Sequence, residues 1–120
     1  MKDFWIGLND KATEGTYVWN DHTEVSFTKY APNEPEGQPA EVDCFCQENT
    51  GLWSDVECDQ KSAYVCKFPT FNSGGGRYTF FTESKDWHDA NEQCVELGQT
   101  LVTIESAAEN AYLYAEAIKR

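Results

Sequence analysis

The sequence predicts an α+β fold on three observations. Short runs of β-branched and aromatic residues bounded by turn residues fill the first half, and two helical patterns close the chain. Five cysteines, at 44, 46, 58, 66 and 94, mark a small fold stapled by disulfides. Strands followed by helices, rather than alternating with them, are the α+β pattern. The 120 residues, 40% hydrophobic and 14% aromatic, suffice for one modest core and not for two.

Four runs read as strands in the first half: Phe4-Trp5-Ile6-Gly7-Leu8, Thr16-Tyr17-Val18-Trp19, Asp43 to Cys46, and Ala63-Tyr64-Val65-Cys66. Between Tyr30 and Glu41 stand Pro32, Pro35, Pro39 and Gly37 with no hydrophobic period, which predicts a long structured loop. Residues 69–76 end in Gly74-Gly75-Gly76 and read as a flexible linker. Arg77 to Phe81 then predicts a further strand. Ser84 is the expected cap of the first helix, whose Trp87, Ala90, Cys94 and Leu97 form one apolar stripe and which Gly98 ends. The second helix opens on Ser106-Ala107-Ala108-Glu109, a capping box, and runs to about Ile118.

The balance of 9 Lys plus Arg against 21 Asp plus Glu, a net charge of −12, excludes the basic patches on which phosphate binding rests. No nucleic-acid partner is expected. No apolar run reaches the roughly 18 residues of a membrane span, and Met1 to Trp5 lacks the apolar stretch of a secretion signal, so no membrane insertion is expected either. The cysteine content implies a secreted or extracellular setting. With one cysteine left over, two disulfides can be drawn in about fifteen ways that spacing cannot rank. Zinc is disfavoured, because Cys44-Phe45-Cys46 is one residue short of the usual ligand spacing and no second close pair follows.

Trp5-Ile6-Gly7-Leu8, Glu34-Pro35, Asp43-Cys44, Gly51-Leu52-Trp53-Ser54-Asp55 with Cys58, and Tyr64-Val65-Cys66 resemble the C-terminal half of a C-type lectin-like domain. Tyr78 to Ile118, with Trp87, Ala90, Cys94, Leu101 and Glu109, is similar to its N-terminal half, so the halves stand in reversed order. The resemblance implies a C-type lectin-like fold in which two helices flank small antiparallel sheets and a long calcium loop. It divides the chain into a C-terminal half at 1–68, a linker at 69–76 and an N-terminal half at 77–120, together making one compact domain. Two origins are open: a circular permutant, with the glycine triplet and initiating Met suggesting engineering, or a stretch from the middle of one domain to the middle of the next. Either could close on itself or swap halves between two chains. The resemblance further implies disulfides Cys66–Cys94 and Cys44–Cys58, which leaves Cys46 over; a small buried thiol is the favoured reading for it and an intermolecular disulfide the alternative.

The family's sugar-binding calcium site uses a Glu-Pro-Asn motif, an acid before the loop cysteine and a Trp-Asn-Asp motif. The aligned residues here are Glu34, Glu36, Val42, Ser54 and Asp55. Glu36 can ligate a cation where Asn is usual, Glu41 can replace the acid missing at Val42, and Ser54 is a weaker neutral ligand. A second, structural calcium position aligns with Asp10, Glu14 and Asp43, while Gly37 stands where a further acid is expected. One or two Ca²⁺ ions are therefore expected, since a hard cation takes about six to eight oxygen ligands. Asn both coordinates and donates to a sugar hydroxyl, whereas Glu only accepts, so Glu34-Pro35-Glu36 matches neither the mannose-type nor the galactose-type order.

The first expectation is a calcium-dependent carbohydrate-binding module that takes a glycan or glycoprotein through Glu34, Glu36, Ser54 and Asp55. The alternative is a module of the same fold that recognises a protein or a surface without sugar, which the departures at Glu36, Val42 and Ser54 favour. No enzyme is expected: His22 and His88 are the only imidazoles, neither beside a convincing nucleophile, and a pairing of Cys46 with His88 is weak. Trp5, Trp19 and Trp87 read as core, and Trp53 as packing beneath the calcium loop.

Overall fold

A computed structural model describes residues 3–13, 16–22, 24–32, 43–68 and 78–120. In chain order the elements are β1 (Phe4–Asn9), β2 (Val18–Trp19), β3 (Cys44–Gln47), β4 (Trp53–Val56), β5 (Ser62–Lys67), β6 (Tyr78–Lys85), α1 (Trp87–Glu96), β7 (Thr100–Leu101) and α2 (Ala107–Ile118). Among the described residues the strands make one seven-stranded sheet in the order β4-β3-β1-β5-β6, with β2 on β1 and β7 on β5. β1 and β5 are parallel, Phe4 opposite Ala63 and Trp5 opposite Tyr64, and the other pairs are antiparallel. The fold is thus α+β as expected, with one mixed sheet in place of small antiparallel ones. The expected linker at 69–76 lies outside the described residues, but β5 and β6 on either side of it pair with Lys67 opposite Tyr78.

Strand alternation sorts the core onto the two faces of the sheet. Phe4, Ile6 and Leu8 of β1, Phe45 of β3 and Val65 of β5 join Trp19, Trp53 and, from α2, Leu113 and Ala117. Trp5, Cys44, Cys46, Tyr64 and Cys66 point the other way and meet Trp87, Ala90 and Cys94 of α1. One helix therefore covers each face. Both disulfides lie within the second cluster: Cys44–Cys58, with Cα atoms 5.2 Å apart, and Cys66–Cys94, at 5.4 Å. Cys46 is free and buried on the same face as Cys44, as its spacing of two requires.

Three local expectations change. Ser84 does not cap α1, because β6 continues pairing as far as Lys85 and the Asp86 carboxylate accepts from Asp89 N at 2.8 Å. The strand expected at Thr16–Trp19 shrinks to Val18–Trp19, while β4 and β7 appear where no apolar run announced them. In α2, Ser106 Oγ accepts from Glu109 N at 3.1 Å as a capping box requires, but the Glu109 carboxylate reaches back to Glu105 N, at 2.8 Å, rather than to Ser106.

Two glycines are fixed by geometry. A Cβ on Gly7 would stand 2.9 Å from Leu101 O and 3.3 Å from Val102 O, because Gly7 N–H donates to Val102 O at 2.9 Å. Gly98 follows α1 at φ +77°, the left-handed conformation in which a helix commonly ends.

Candidate functional site

The expected ligand strand, β4, is an edge strand held from both sides. Its inner side pairs with β3, Cys46 opposite Ser54 and Phe45 opposite Asp55. On its outer side Trp53 N–H donates to Lys29 O at 2.8 Å, and Ala31 N–H donates to Trp53 O at 2.7 Å. The chain therefore enters the acidic stretch 33–42 directly beside Trp53. It leaves that stretch at Asp43, whose carbonyl accepts from Asp10 N at 3.1 Å. The two ends of the expected calcium region are thus fastened to neighbouring strands, Trp53 opposite Gln47 at one end of the β3–β4 pair and Asp43 before Cys44 at the other, and Cys44–Cys58 ties the return of the chain to the residues just past β4.

Asp55 and Asp10 are buried, Asp43 is half-buried, and Ser54 is half-buried on the opposite face of β4 from Asp55 by strand alternation. Asp55 lies close enough to Tyr30 for its charge to act there. Burial first, and the Asp55 carboxylate second, push the Tyr30 hydroxyl above its ordinary range. Glu14, Glu34, Glu36, Glu41 and Val42 lie outside the described residues. Among the described residues no three His, Cys, Asp or Glu side chains form a group that could hold a metal. Asp10, Asp43 and Asp55 therefore do not make a cage by themselves. Ser54, Asp55, Asp10 and Asp43 are nonetheless oxygen donors only, three of them anionic, which is the donor chemistry of a hard cation such as Ca²⁺.

Trp53 is fully buried, with edge-on contacts to Trp19 at 5.5 Å, Phe27 at 5.8 Å and Tyr30 at 6.0 Å between ring centroids. Trp5, Trp19 and Trp87 are core residues as expected. The feature that sequence reasoning missed is Asn110 of α2. Its Oδ1 accepts from Trp53 Nε1 and from Gln47 Nε2, both at 2.8 Å, and its Nδ2 donates to Gly51 O at 2.9 Å. A lone Asn near the start of a helix, in one stripe with the apolar Leu113 and Ala117, was the available signal.

His88 stands edge-on to Trp87 on the solvent side of α1, and His22 is exposed in the turn after β2 at φ +68°. Burial pushes the Cys46 thiol far up, so it is no thiolate nucleophile.

The family profile described as Lectin C-type domain matches residues 1–68, more than half of the chain and the half that carries β4 and the acidic stretch. The chain belongs to the C-type lectin domain family. It is 40% identical over 72 residues to the alpha-N-acetylgalactosamine-specific lectin of Patiria pectinifera, an alignment covering 57% of this chain and 42% of that protein. It is 26% identical over 132 residues to lymphocyte antigen 75 of Homo sapiens, covering 90% of this chain and 8% of that protein. Among solved structures, the C-type lectin CEL-I from Cucumaria echinata matches with a TM-score of 0.44 and 34% identity, over 47% of this chain and 41% of that one. The chain spans under half the length of each of these relatives. The C-type lectin family and its lectin relatives are non-enzymatic carbohydrate-binding proteins, in agreement with the non-enzyme reading of this domain. No described helix is long and apolar enough to cross a membrane.

Proposed function

We propose that this chain is a carbohydrate-binding module whose grip on sugar runs through calcium. The observation that carries the reading is that the family match falls on residues 1–68, which contain both Glu34-Pro35-Glu36 and Trp53-Ser54-Asp55. Glu34, Glu36, Ser54 and Asp55 would hold the sugar-binding ion, with Glu41 in place of the acid absent at Val42. Asp10, Glu14 and Asp43 would hold a second, structural ion. Bound Ca²⁺ would supply the hard Lewis acid that accepts two vicinal hydroxyl oxygens of a sugar.

The chain's own residues set the selectivity. Carboxylates at 34 and 36 accept hydrogen bonds from sugar hydroxyls and donate none, while Ser54 keeps a single donor. The site therefore prefers hydroxyls that can act as donors, and binds each sugar weakly. A glycan or glycoprotein partner agrees with the sugar specificity for which the Patiria relative is named. Two closed disulfides support a secreted or extracellular protein.

The departures at Glu36, Val42 and Ser54 favour a second reading, a protein- or surface-binding module that needs no sugar. Retention on mannose-, galactose- and N-acetylgalactosamine-derivatised matrices, with and without chelator, separates the two. Chelator-sensitive retention supports the lectin reading, and no retention on any sugar supports the alternative.

The order of the halves has its own support as a natural one. An alignment covering 90% of the chain must cross residues 69–76 without reversing the halves, and it occupies only 8% of lymphocyte antigen 75. We read residues 69–76 as the junction between successive C-type lectin-like domains rather than as an engineered join, with the flanking half-domains at 1–68 and 77–120 closing on each other here.

A further inference from the structure

We propose that Asn110 is the positioning residue of the Trp53-Ser54-Asp55 strand, so that a site whose ligands lie in residues 1–68 is completed by the second helix, from the other half of the chain. The inference deepens the calcium-lectin reading and rests on it for what Ser54 and Asp55 do.

Three observations carry it. First, every side-chain bond of Asn110 goes to one structural unit, the β3–β4 hairpin: Gln47 at the end of β3, Gly51 in the turn and Trp53 at the start of β4. Second, β4 is four residues long and lies at the edge of the sheet, so β3 and the Lys29–Ala31 stretch supply its only backbone partners among the described residues. Third, the clamp is dry: Asn110, Gln47 and Trp53 are all buried, and in such a place a polar group left without its partner is costly.

The chemistry selects this side chain. Two N–H donors converge on one acceptor while a carbonyl needs a donor, and an amide at the length of Asn offers both at once. Asp would keep the acceptor and lose the donor to Gly51 O. Ala would orphan Trp53 Nε1 and Gly51 O and leave Gln47 Nε2 only its longer 3.4 Å bond to the Asn110 carbonyl. Ser54 and Asp55 follow Trp53 directly, so the indole bond fixes where the ligand strand begins. The helix that sends Asn110 belongs to residues 77–120. If two copies exchanged halves, the partner copy would supply this residue to the site.

The test uses the full chain with Trp53→Phe and Asn110→Ala. Amide hydrogen exchange is followed at residues 53–56, with Tyr64 and Val65 of β5 as internal reference, and calcium affinity is measured in parallel by calorimetry. Trp53→Phe removes the indole hydrogen bond and shortens a fully buried bicyclic ring to a phenyl, so exchange at 53–56 rises about fivefold or more relative to β5. Asn110→Ala orphans two buried groups and weakens a third, and raises the ratio by about thirtyfold or more. The calcium Kd of the folded protein rises in the same order. A purely structural role would speed both amide sets by one common factor and leave the Kd of the folded protein unchanged, and that result overturns the inference. Should Asn110→Ala fail to fold, Trp53→Phe carries the test alone. If the wild-type chain binds no calcium while the 53–56 amides respond as stated, the calcium reading falls and the positioning role stands. If it binds calcium and neither variant moves those amides or the Kd, the positioning role falls and the calcium reading stands.

Discussion

Removing the Cys66–Cys94 disulfide is the sharpest perturbation of how the two halves hold together. The bond joins β5 in one half to α1 in the other across a sequence separation of 28. The chain-entropy relation for a closed loop of that size gives about 3.5 kcal/mol at 25 °C. Both cysteines are fully buried beside Tyr64, Trp87, Ala90 and Leu101, so replacing them by alanine adds a small cavity cost. The expected loss for Cys66→Ala/Cys94→Ala is therefore about 3.5 to 4.5 kcal/mol, a large share of the 5 to 15 kcal/mol typical of a domain. Urea unfolding of wild type and the double variant, followed by tryptophan fluorescence, measures it, and thermal melts should show Tm falling by roughly 14–18 °C. A loss below about 1 kcal/mol would refute the reasoning, since loop closure alone exceeds that. The same bond reports on exchange of halves: it closes within one chain here, so a non-reducing denaturing gel shows monomer, whereas exchanged halves give a covalent dimer.

Three further predictions follow from the fold. Gly7→Ala places a methyl 2.9 Å from Leu101 O, a backbone atom that cannot swing away, and destabilises by about 2 kcal/mol or more in urea unfolding. Asp86→Ala costs about 1 kcal/mol as the loss of an N-cap, whereas Ser84→Ala, in β6, stays within about 0.5 kcal/mol. Alkaline pH destabilises the chain. Burial, then the Glu109 bond, raise the Tyr78 hydroxyl, burial raises the Cys46 thiol, and burial with Glu83 pushes Tyr64 up to about 12. Because these pKa values are raised in the folded state, the unfolded chain releases its protons first. Stability is full below the unfolded values of 9.0 and 10.0 and falls as pH climbs through the folded ones. Urea midpoints between pH 8 and pH 11 should fall, less steeply in Tyr78→Phe.

Much of the fold was legible because periodicity and spacing record which face a side chain takes. The strand run Phe4 to Leu8, the Trp87, Ala90 and Cys94 members of the helix stripe, and the spacing of two between Cys44 and Cys46 survive folding, since each is enforced by burial, whereas Leu97, the fourth expected member of the stripe, is the C-cap of α1 and 42% exposed. The disulfide pairing was legible only through the family resemblance, because five cysteines carry no pairing information in their spacing. What escaped depends on partners distant in sequence. β4 has a polar pair at its centre and exists because Cys44–Gln47 and Lys29–Ala31 bond its backbone, and β7 is two residues held by Cys66 and Lys67. Ser84 was mistaken for a cap because nothing local shows that Ser62 still pairs with Lys85. At the candidate site, Ser54, Asp55, Asp10 and Asp43 were legible as one alcohol and three acids, and their assignment as ligands rests on the family alignment. Asn110 was not, because its three partners lie 57 to 63 residues away.

The central claim is that this C-type lectin domain grips sugar through calcium, and a calorimetric Ca²⁺ titration of the chelator-stripped protein tests it most directly, with Trp53 fluorescence followed in parallel. The expected result is saturable binding with a Kd in the range of sensor to extracellular sites, roughly micromolar to millimolar. It should come with a fluorescence change and be abolished by Glu34→Ala or Asp55→Ala. No heat and no spectral change would contradict the claim and leave a disulfide-stapled scaffold whose partner is a protein or a surface.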